Sequence, residues 1–73
     1  MIQFENLVFN VKFLYSAEIY NKTHIKISIY DGQGHFRDNY HFEYETEAEA
    51  RVHFCALKFQ IEVAENRMRE KNN

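Results

Sequence analysis

Two stretches of the chain alternate between apolar and polar residues, the pattern of a strand with one buried face. From Phe9 to Ile19 every odd-numbered residue is apolar, and from His24 to Tyr30 three isoleucines alternate with polar residues. A third segment, residues 35–44, places Phe or Tyr at most of its even-numbered positions. The pattern predicts a three-stranded antiparallel meander with the second strand in the centre.

The loop between the first two strands is predicted to be residues 21–23. A three-residue loop there brings the apolar faces of both strands together. It also places Glu18 opposite Lys26 on the outer face, a favourable cross-strand pair. The inner pairs are Ile19 with Ile25, Ala17 with Ile27, and Tyr15 with Ile29.

The second turn is predicted at residues 31–34, "DGQG", the only segment that contains glycine. A turn of two or four residues again matches the apolar faces. It pairs Tyr30 with His35, Ile29 with Phe36, Ile25 with Tyr40, and His24 with His41. Asp38 then falls on the inner face opposite Ile27, which indicates either a bulge near residues 37–39 or a strand edge.

A long helix is predicted over residues 46–71. Thr46 followed by Glu49 forms a capping box, and basic residues near the end suit the helix dipole. The predicted order is β-β-β-α, an α+β fold in which one long C-terminal helix packs on one face of the sheet. We expect a single domain, residues 1–73, in which residues 2–8 bend away from the first strand or form another short strand.

This helix has apolar residues on two opposite sides. At 100° per residue, one narrow stripe faces the sheet: Ala50, Phe54, Leu57, Ile61, Ala64 and Met68. The opposite side carries what we call the second stripe: Ala48, Val52, Cys55, Ala56, Phe59 and Val63. A three-stranded sheet can cover only one of them. The residues predicted to form an interface are Val52, Cys55, Ala56, Phe59 and Val63.

Two explanations for the second stripe remain open at the level of sequence. The N-terminal segment, with Met1, Ile2, Phe4 and Leu7, can fold over it, or a partner can cover it. A chain of 73 residues buries little core, and its lone cysteine, Cys55, excludes an internal disulfide. Association is then the favoured route to extra stability, so we expect a homodimer or a docked partner protein. A lone thiol also points to a reducing, cytoplasmic setting.

The outer sheet face collects basic and aromatic residues, which are the types that contact nucleic acid. They are Lys12, His24, Lys26, Tyr30, Arg37, Asn39 and His41. The meander followed by "FEYETEAEA" and a helix resembles the AP2-type and integrase arm-binding DNA domains, which implies a sheet that enters the major groove. An ordinary solvated face is the favoured alternative, because this face has fewer Arg and Lys residues than such DNA-binding domains usually show.

Catalysis and metal binding find little support in the sequence. His24 and His41 are predicted to face each other, but nothing supplies a clear set of further ligands, so we expect no metal and no cofactor. Cys55 is interpreted as a small buried hydrophobic residue rather than a nucleophile. No apolar run approaches the roughly 18 residues that span a bilayer. We do not expect an enzyme.

A small glycine-poor, acidic α+β chain resembles the inhibitors that phages encode, such as the anti-CRISPR proteins. The resemblance covers size and architecture only. It implies binding to a host nucleoprotein complex, in which acidic surface competes with nucleic acid. The acidic patch would be Glu43, Glu45, Glu47 and Glu49, whose simpler role is to cap the helix. The predicted function is a non-enzymatic protein-interaction module, with a nucleic-acid-binding regulator as the alternative.

Overall fold

The computed structural model describes residues 1–30 and 37–71, which form five strands, a short 3-10 helix and one long helix. In chain order these are β1 (Ile2–Phe4), β2 (Leu7–Phe9), the 3-10 helix (Val11–Phe13), β3 (Leu14–Tyr20), β4 (His24–Tyr30), β5 (Arg37–Glu43) and α1 (Glu47–Lys71). Strands β3, β4 and β5 form an antiparallel sheet in that order, and β1 pairs with β2 separately. The predicted α+β class, with a meander and a C-terminal helix packed on it, is confirmed.

The N-terminal segment forms a hairpin of its own. Phe4 lies opposite Leu7, so Glu5 and Asn6 make a two-residue turn between β1 and β2. Glu5 adopts a φ of 55°, a left-handed conformation that costs a residue with a Cβ atom roughly 1 kcal/mol. Residues 2–8 were expected either to bend away from the first strand or to form another short strand. In the structure they form two short strands that pair with each other.

The first long strand begins later than the alternation predicts. The side chain of Asn10 accepts a hydrogen bond from the backbone N–H of Lys12 at 3.1 Å, and the N–H of Phe13 donates to the Asn10 carbonyl at 3.0 Å. This local capping favours a 3-10 turn over an extended strand. Strand β3 therefore starts at Leu14, and the prediction that placed Lys12 on the sheet face is wrong.

The predicted loop at residues 21–23 is confirmed. Ile19 pairs with Ile25, and Glu18 pairs with Lys26. Asn21 and Lys22 turn the chain with φ values of 49° and 66°.

The predicted pairing of Tyr15 with Ile29 is wrong. A bulge between Leu14 and Ser16 puts Leu14 opposite Ile29. The extra residue turns Tyr15 away from the core, where it stays 51% exposed. Its ring meets that of Tyr30 edge-on, with centroids 5.4 Å apart. A bulge has this effect because it reverses the alternation at one point.

Strands β4 and β5 pair two residues out of the predicted register. Ile25 lies opposite Phe42, not Tyr40, and Ile29 lies opposite Asp38. A shift of two preserves the faces, so the apolar side of β5 was predicted correctly. The physical reason lies outside the sheet: the ring of Phe4 meets that of Phe42 edge-on at 5.0 Å, a contact that fixes where Phe42 sits.

The new register also places Asp38 near the start of an edge strand, where it is exposed. The β4–β5 ladder is regular along its length, so there is no bulge at residues 37–39. Of the two explanations for the position of Asp38, the strand edge is therefore the correct one. The "DGQG" turn and the predicted partners His35 and Phe36 lie outside the described residues.

Helix α1 begins as the capping box predicts. The backbone N–H of Glu49 donates to the hydroxyl of Thr46 at 3.1 Å. The helix then runs for 25 residues, about 37 Å at 1.5 Å per residue.

One hydrophobic cluster joins the three parts of the fold. Ile2 and Phe4 of the hairpin, Ile25 and Ile27 of β4, and Leu57 of α1 are all 5% exposed or less. The helix lies over β3 and β4, and the hairpin fills the space beside it, next to Phe42. The core is thus built from both ends of the chain.

Candidate interaction surface

The second stripe of α1 is exposed along most of its length. Val52 is 69% exposed and Phe59 is 67% exposed. Cys55 and Ala56 between them are exposed, and Val63 is half-buried. The prediction that Cys55 is buried is wrong for this reason: its position on the helix faces away from the sheet.

The opposite stripe is buried or half-buried from Ala50 to Ala64, and its last residue, Met68, is 39% exposed. Ala50 and Leu57 are fully buried at 0% exposure, and Phe54, Ile61 and Ala64 pack against the core. The helix therefore presents one apolar face to its own chain and a second apolar face to the surroundings. An exposed Phe flanked by Val at helical spacing is the kind of patch that contacts other proteins.

The N-terminal segment does not cover the second stripe, although that was one explanation open from the sequence. Ile2 and Phe4 turn inward, where they are 1% and 5% exposed, and Gln60 holds the backbone of Gln3 by a 3.2 Å hydrogen bond. Met1 is 89% exposed. The hairpin is used for the core because the three-stranded sheet is too narrow to cover the inner stripe of the helix alone.

A groove runs between the N-terminus and the C-terminal half of α1. Its volume is about 450 Å³. Met1 and Val11 lie on one side, and Phe59, Val63 and Met68 lie on the other. Since Phe59 and Val63 also belong to the second stripe, the groove continues from the stripe, with Asn10, Gln60 and Arg67 among its polar lining residues.

Charged residues border this surface with opposite signs at its two ends. Glu49 lies on one flank near the start of α1, and Arg67 lies on the same flank near its end, each about 60° from the centre of the stripe at 100° per residue. Both side chains are exposed. Within the described part of the chain, neither the carboxylate of Glu49 nor the guanidinium of Arg67 joins an ion pair.

The predicted acidic patch is partly used within the chain. Glu47 pairs with Arg51 at 2.7 Å, one helical turn away, and Glu43 lies 3.9 Å from the ring of His24. Glu45 and Glu49 are exposed. Glu47 and Glu49 lie in the first turn of α1, where they also suit the positive end of the helix dipole.

Lys12 lies outside the sheet, and three of the predicted residues of the outer sheet face, Lys26, His24 and His41, have side-chain partners. Lys26 lies 3.4 Å from Glu18. His24 is opposite Glu43 and His41 is opposite Lys26, so the prediction that the two histidines face each other is wrong. His41 instead shares a 2.9 Å hydrogen bond with the hydroxyl of Tyr20.

Ser28 and Tyr30 make further contacts on this face. Ser28 is 2% exposed and donates to Asn39 at 2.6 Å. Tyr30 packs against Tyr15 and pairs with Arg37 across the strands. No group of three or more His, Cys, Asp or Glu side chains that could hold a metal occurs among the described residues. In the same part of the chain, no helix is long and apolar enough to cross a membrane.

A cluster that the sequence does not reveal ties the hairpin turn to the helix. The carboxylate of Glu5 accepts a hydrogen bond from the hydroxyl of Tyr44 at 2.9 Å and lies 3.4 Å from Nδ1 of His53. The rings of Tyr44 and His53 stack 4.6 Å apart. Burial, followed by the hydrogen bond and the negative charge of Glu5, raises the pKa of Tyr44. These contacts tie the side chain of Glu5, in the turn between β1 and β2, to the segment before α1 and to α1 itself.

Comparison of the chain with protein-family models, with curated proteins and with solved structures finds no match. Any function must therefore be argued from the surface that the fold presents.

Proposed function

We propose that this protein is a small, non-enzymatic interaction module that binds another protein molecule through the second stripe of α1. The observation that carries the proposal is the exposure of Val52 and Phe59, at 69% and 67%, on a helix whose opposite face packs on the core from Ala50 to Ala64. Burying such residues on association is favourable by about 25 cal/mol per Å² of apolar surface.

The position of the stripe supports an interface rather than a chance patch. It lies on a helix, so its side chains are held in fixed relative positions, which lowers the entropy cost of binding. Aromatic residues in particular tend to anchor interfaces, and Phe59 stands near the middle of the surface, between the stripe and the groove. The expected partner surface is an apolar helix face or groove.

Binding to nucleic acid through the outer sheet face is the competing function. A nucleic-acid surface needs free cations to neutralise phosphates. Lys26 is already 3.4 Å from Glu18, and Lys12 lies outside the sheet. The pairing of Lys26 favours a protein partner over a nucleic acid.

The inhibitor hypothesis is a finer version of the same proposal. An inhibitor of the anti-CRISPR kind, acting in the cytoplasm, would use the stripe to dock on a host nucleoprotein complex. The exposed carboxylates of Glu45 and Glu49 would then lie beside the docked surface, where they could compete with nucleic acid. This version rests on size, architecture and the acidic start of α1.

Two matched variants test the proposed function by affinity capture from the native source. Phe59→Glu places a charge on the second stripe, and Lys26→Glu changes the outer sheet face. We expect protein partners to be retained by wild type and by Lys26→Glu and to be lost by Phe59→Glu. A generic DNA or RNA duplex should not bind. If a duplex binds with an affinity that falls steeply with salt, and Lys26→Glu abolishes that binding, the proposal is wrong and the sheet face is the functional surface.

A further inference from the structure

We infer that the second stripe of α1 binds a second copy of the same chain, with the two helices antiparallel. This inference rests on the proposed function and names its partner. It is carried by two features of the stripe: its large and small residues complement one another, and the charges on its flank have opposite signs at the two ends.

The first feature is steric. The stripe carries one large residue, Phe59, beside two small ones, Cys55 and Ala56. A two-fold axis that passes between residues 57 and 58 places Phe59 of one copy level with Ala56 of the other. The same axis places Val52 level with Val63 of the second copy. Each Phe ring then meets the space left by a small residue, as helix packing of ridges into grooves requires.

The second feature is electrostatic. In an antiparallel pair, each flank of a helix faces the same flank of its partner. Glu49 and Arg67 share one flank, and the proposed axis brings Glu49 within one residue, about 1.5 Å along the axis, of Arg67 in the second copy. Symmetry makes two such ion pairs. Both groups are exposed and have no ion-pair partner among the described residues of their own chain.

A parallel pair lacks both features. It would place Phe59 level with Phe59, so the large residues would coincide. It would also turn the flank that carries Glu49 and Arg67 toward the opposite flank of the partner, so the Glu49–Arg67 ion pairs would be lost. The stripe is complementary to itself only when one copy is reversed.

The groove extends the contact. Phe59 and Val63 lead from the stripe to Met1 and Met68, beside which the first turns of the second helix would lie. Residues 48–63 span about 24 Å of helix, and with the groove the contact would bury roughly 800–1,000 Å² in total. That is below the 1,200–2,000 Å² of a standard stable interface, so we expect a weak dimer in exchange with its monomer.

Charge exchange tests the arrangement in the full chain. Glu49→Arg and Arg67→Glu should each weaken dimerisation roughly ten-fold, because each turns two attractive pairs into repulsive ones. Mixed in equal amounts, the two variants should form a heterodimer about as stable as the wild-type dimer, because every facing pair is again opposite in sign. Glu65→Arg, on the side of α1 away from the stripe, is the matched control and should dimerise like wild type. Sedimentation equilibrium from about 1 μM to 1 mM covers the range expected of a weak dimer.

Disulfide trapping tests the direction independently of charge. In a Cys55→Ala background, Val52→Cys and Val63→Cys chains should each stay uncrosslinked alone and should crosslink to each other when mixed, since only facing positions reach disulfide distance. Crosslinking of either variant with itself and not with the other would show a parallel pair and overturn the inference.

The outcomes separate this inference from the proposed function. If wild type is monomeric over the whole range while capture of another protein still depends on Phe59, the second copy is wrong and the interaction module stands. A monomer with no Phe59-dependent capture overturns both. Failure of the charge-reversed variants to pair on mixing, in chains that are folded by circular dichroism, overturns the antiparallel register.

Discussion

Leu57 and Phe59 are two large apolar residues that lie two positions apart on α1 and occupy opposite faces of it, so truncating each to Ala compares the contribution of the two faces to stability. Leu57 is 0% exposed and joins the helix to the hairpin and to β4, whereas Phe59 is 67% exposed. We expect Leu57→Ala to destabilise the monomer strongly and Phe59→Ala to have little effect, although Phe is the larger residue.

The magnitudes follow from burial. Leu57→Ala removes three carbons from a fully buried site, about 2.4 kcal/mol of transfer free energy at roughly 0.8 kcal/mol each, and the cavity raises the loss to about 3–4 kcal/mol. Phe59 keeps only a third of its surface covered, so its truncation should cost about 1 kcal/mol or less. A chain of 73 residues has roughly 4–10 kcal/mol of stability in all, so the difference is easy to resolve.

The assay is urea unfolding followed by far-ultraviolet circular dichroism, at a protein concentration of about 1 μM, where a weak dimer is dissociated. Leu57→Met, which conserves volume, is the control and should cost less than about 1.5 kcal/mol. Equal losses for Leu57→Ala and Phe59→Ala in the monomer would refute the two-faced account of the helix.

Three further predictions concern polar contacts. Tyr44→Phe should cost about 1 kcal/mol at neutral pH, through the lost hydrogen bond to Glu5. The folded state raises the pKa of Tyr44, so folding favours the neutral phenol. That stabilisation is complete below about pH 10 and is lost as the pH rises further. In urea titrations, the difference in the free energy of unfolding between wild type and Tyr44→Phe should therefore shrink above about pH 10. Ser28→Ala should cost about 1 kcal/mol in the same titration, since the buried hydroxyl donates to Asn39 at 2.6 Å. Glu18→Gln should cost less than 1 kcal/mol, because its ion pair with Lys26 is partly exposed, and the loss should vanish in about 1 M salt; a loss that is unchanged by salt would contradict that assignment.

The strands and the helix follow from periodicity, and the sequence predicts them well. Alternation marks the apolar faces of β3, β4 and β5, and the capping box at Thr46 sets the start of α1. The register of β5 could not be predicted in this way, because shifts of two residues leave the pattern unchanged. What selects the observed shift is the packing of Phe4 on Phe42, a contact between residues far apart in sequence.

Local exceptions to the pattern also escaped prediction. The bulge that turns Tyr15 outward and the 3-10 turn capped by Asn10 both interrupt a stretch that alternates well. The cluster of Glu5, Tyr44 and His53 joins three separate parts of the chain, and nothing near any of the three residues signals it. The two stripes of α1 could be predicted from residue spacing alone. Whether the N-terminal segment covers the second stripe could not, and it is the burial of Ile2 and Phe4 in the core that leaves this stripe uncovered by the described chain.

The most direct test of the second stripe as a contact surface is a dilution series of amide nuclear magnetic resonance spectra. As the concentration rises from about 10 μM to 1 mM, we expect the signals of Val52, Cys55, Phe59 and Val63 to shift together along one binding curve. Those of Lys26 and His41 on the outer sheet face should not move. Shifts confined to the outer sheet, or spectra that do not change with concentration, would contradict self-association through the second stripe.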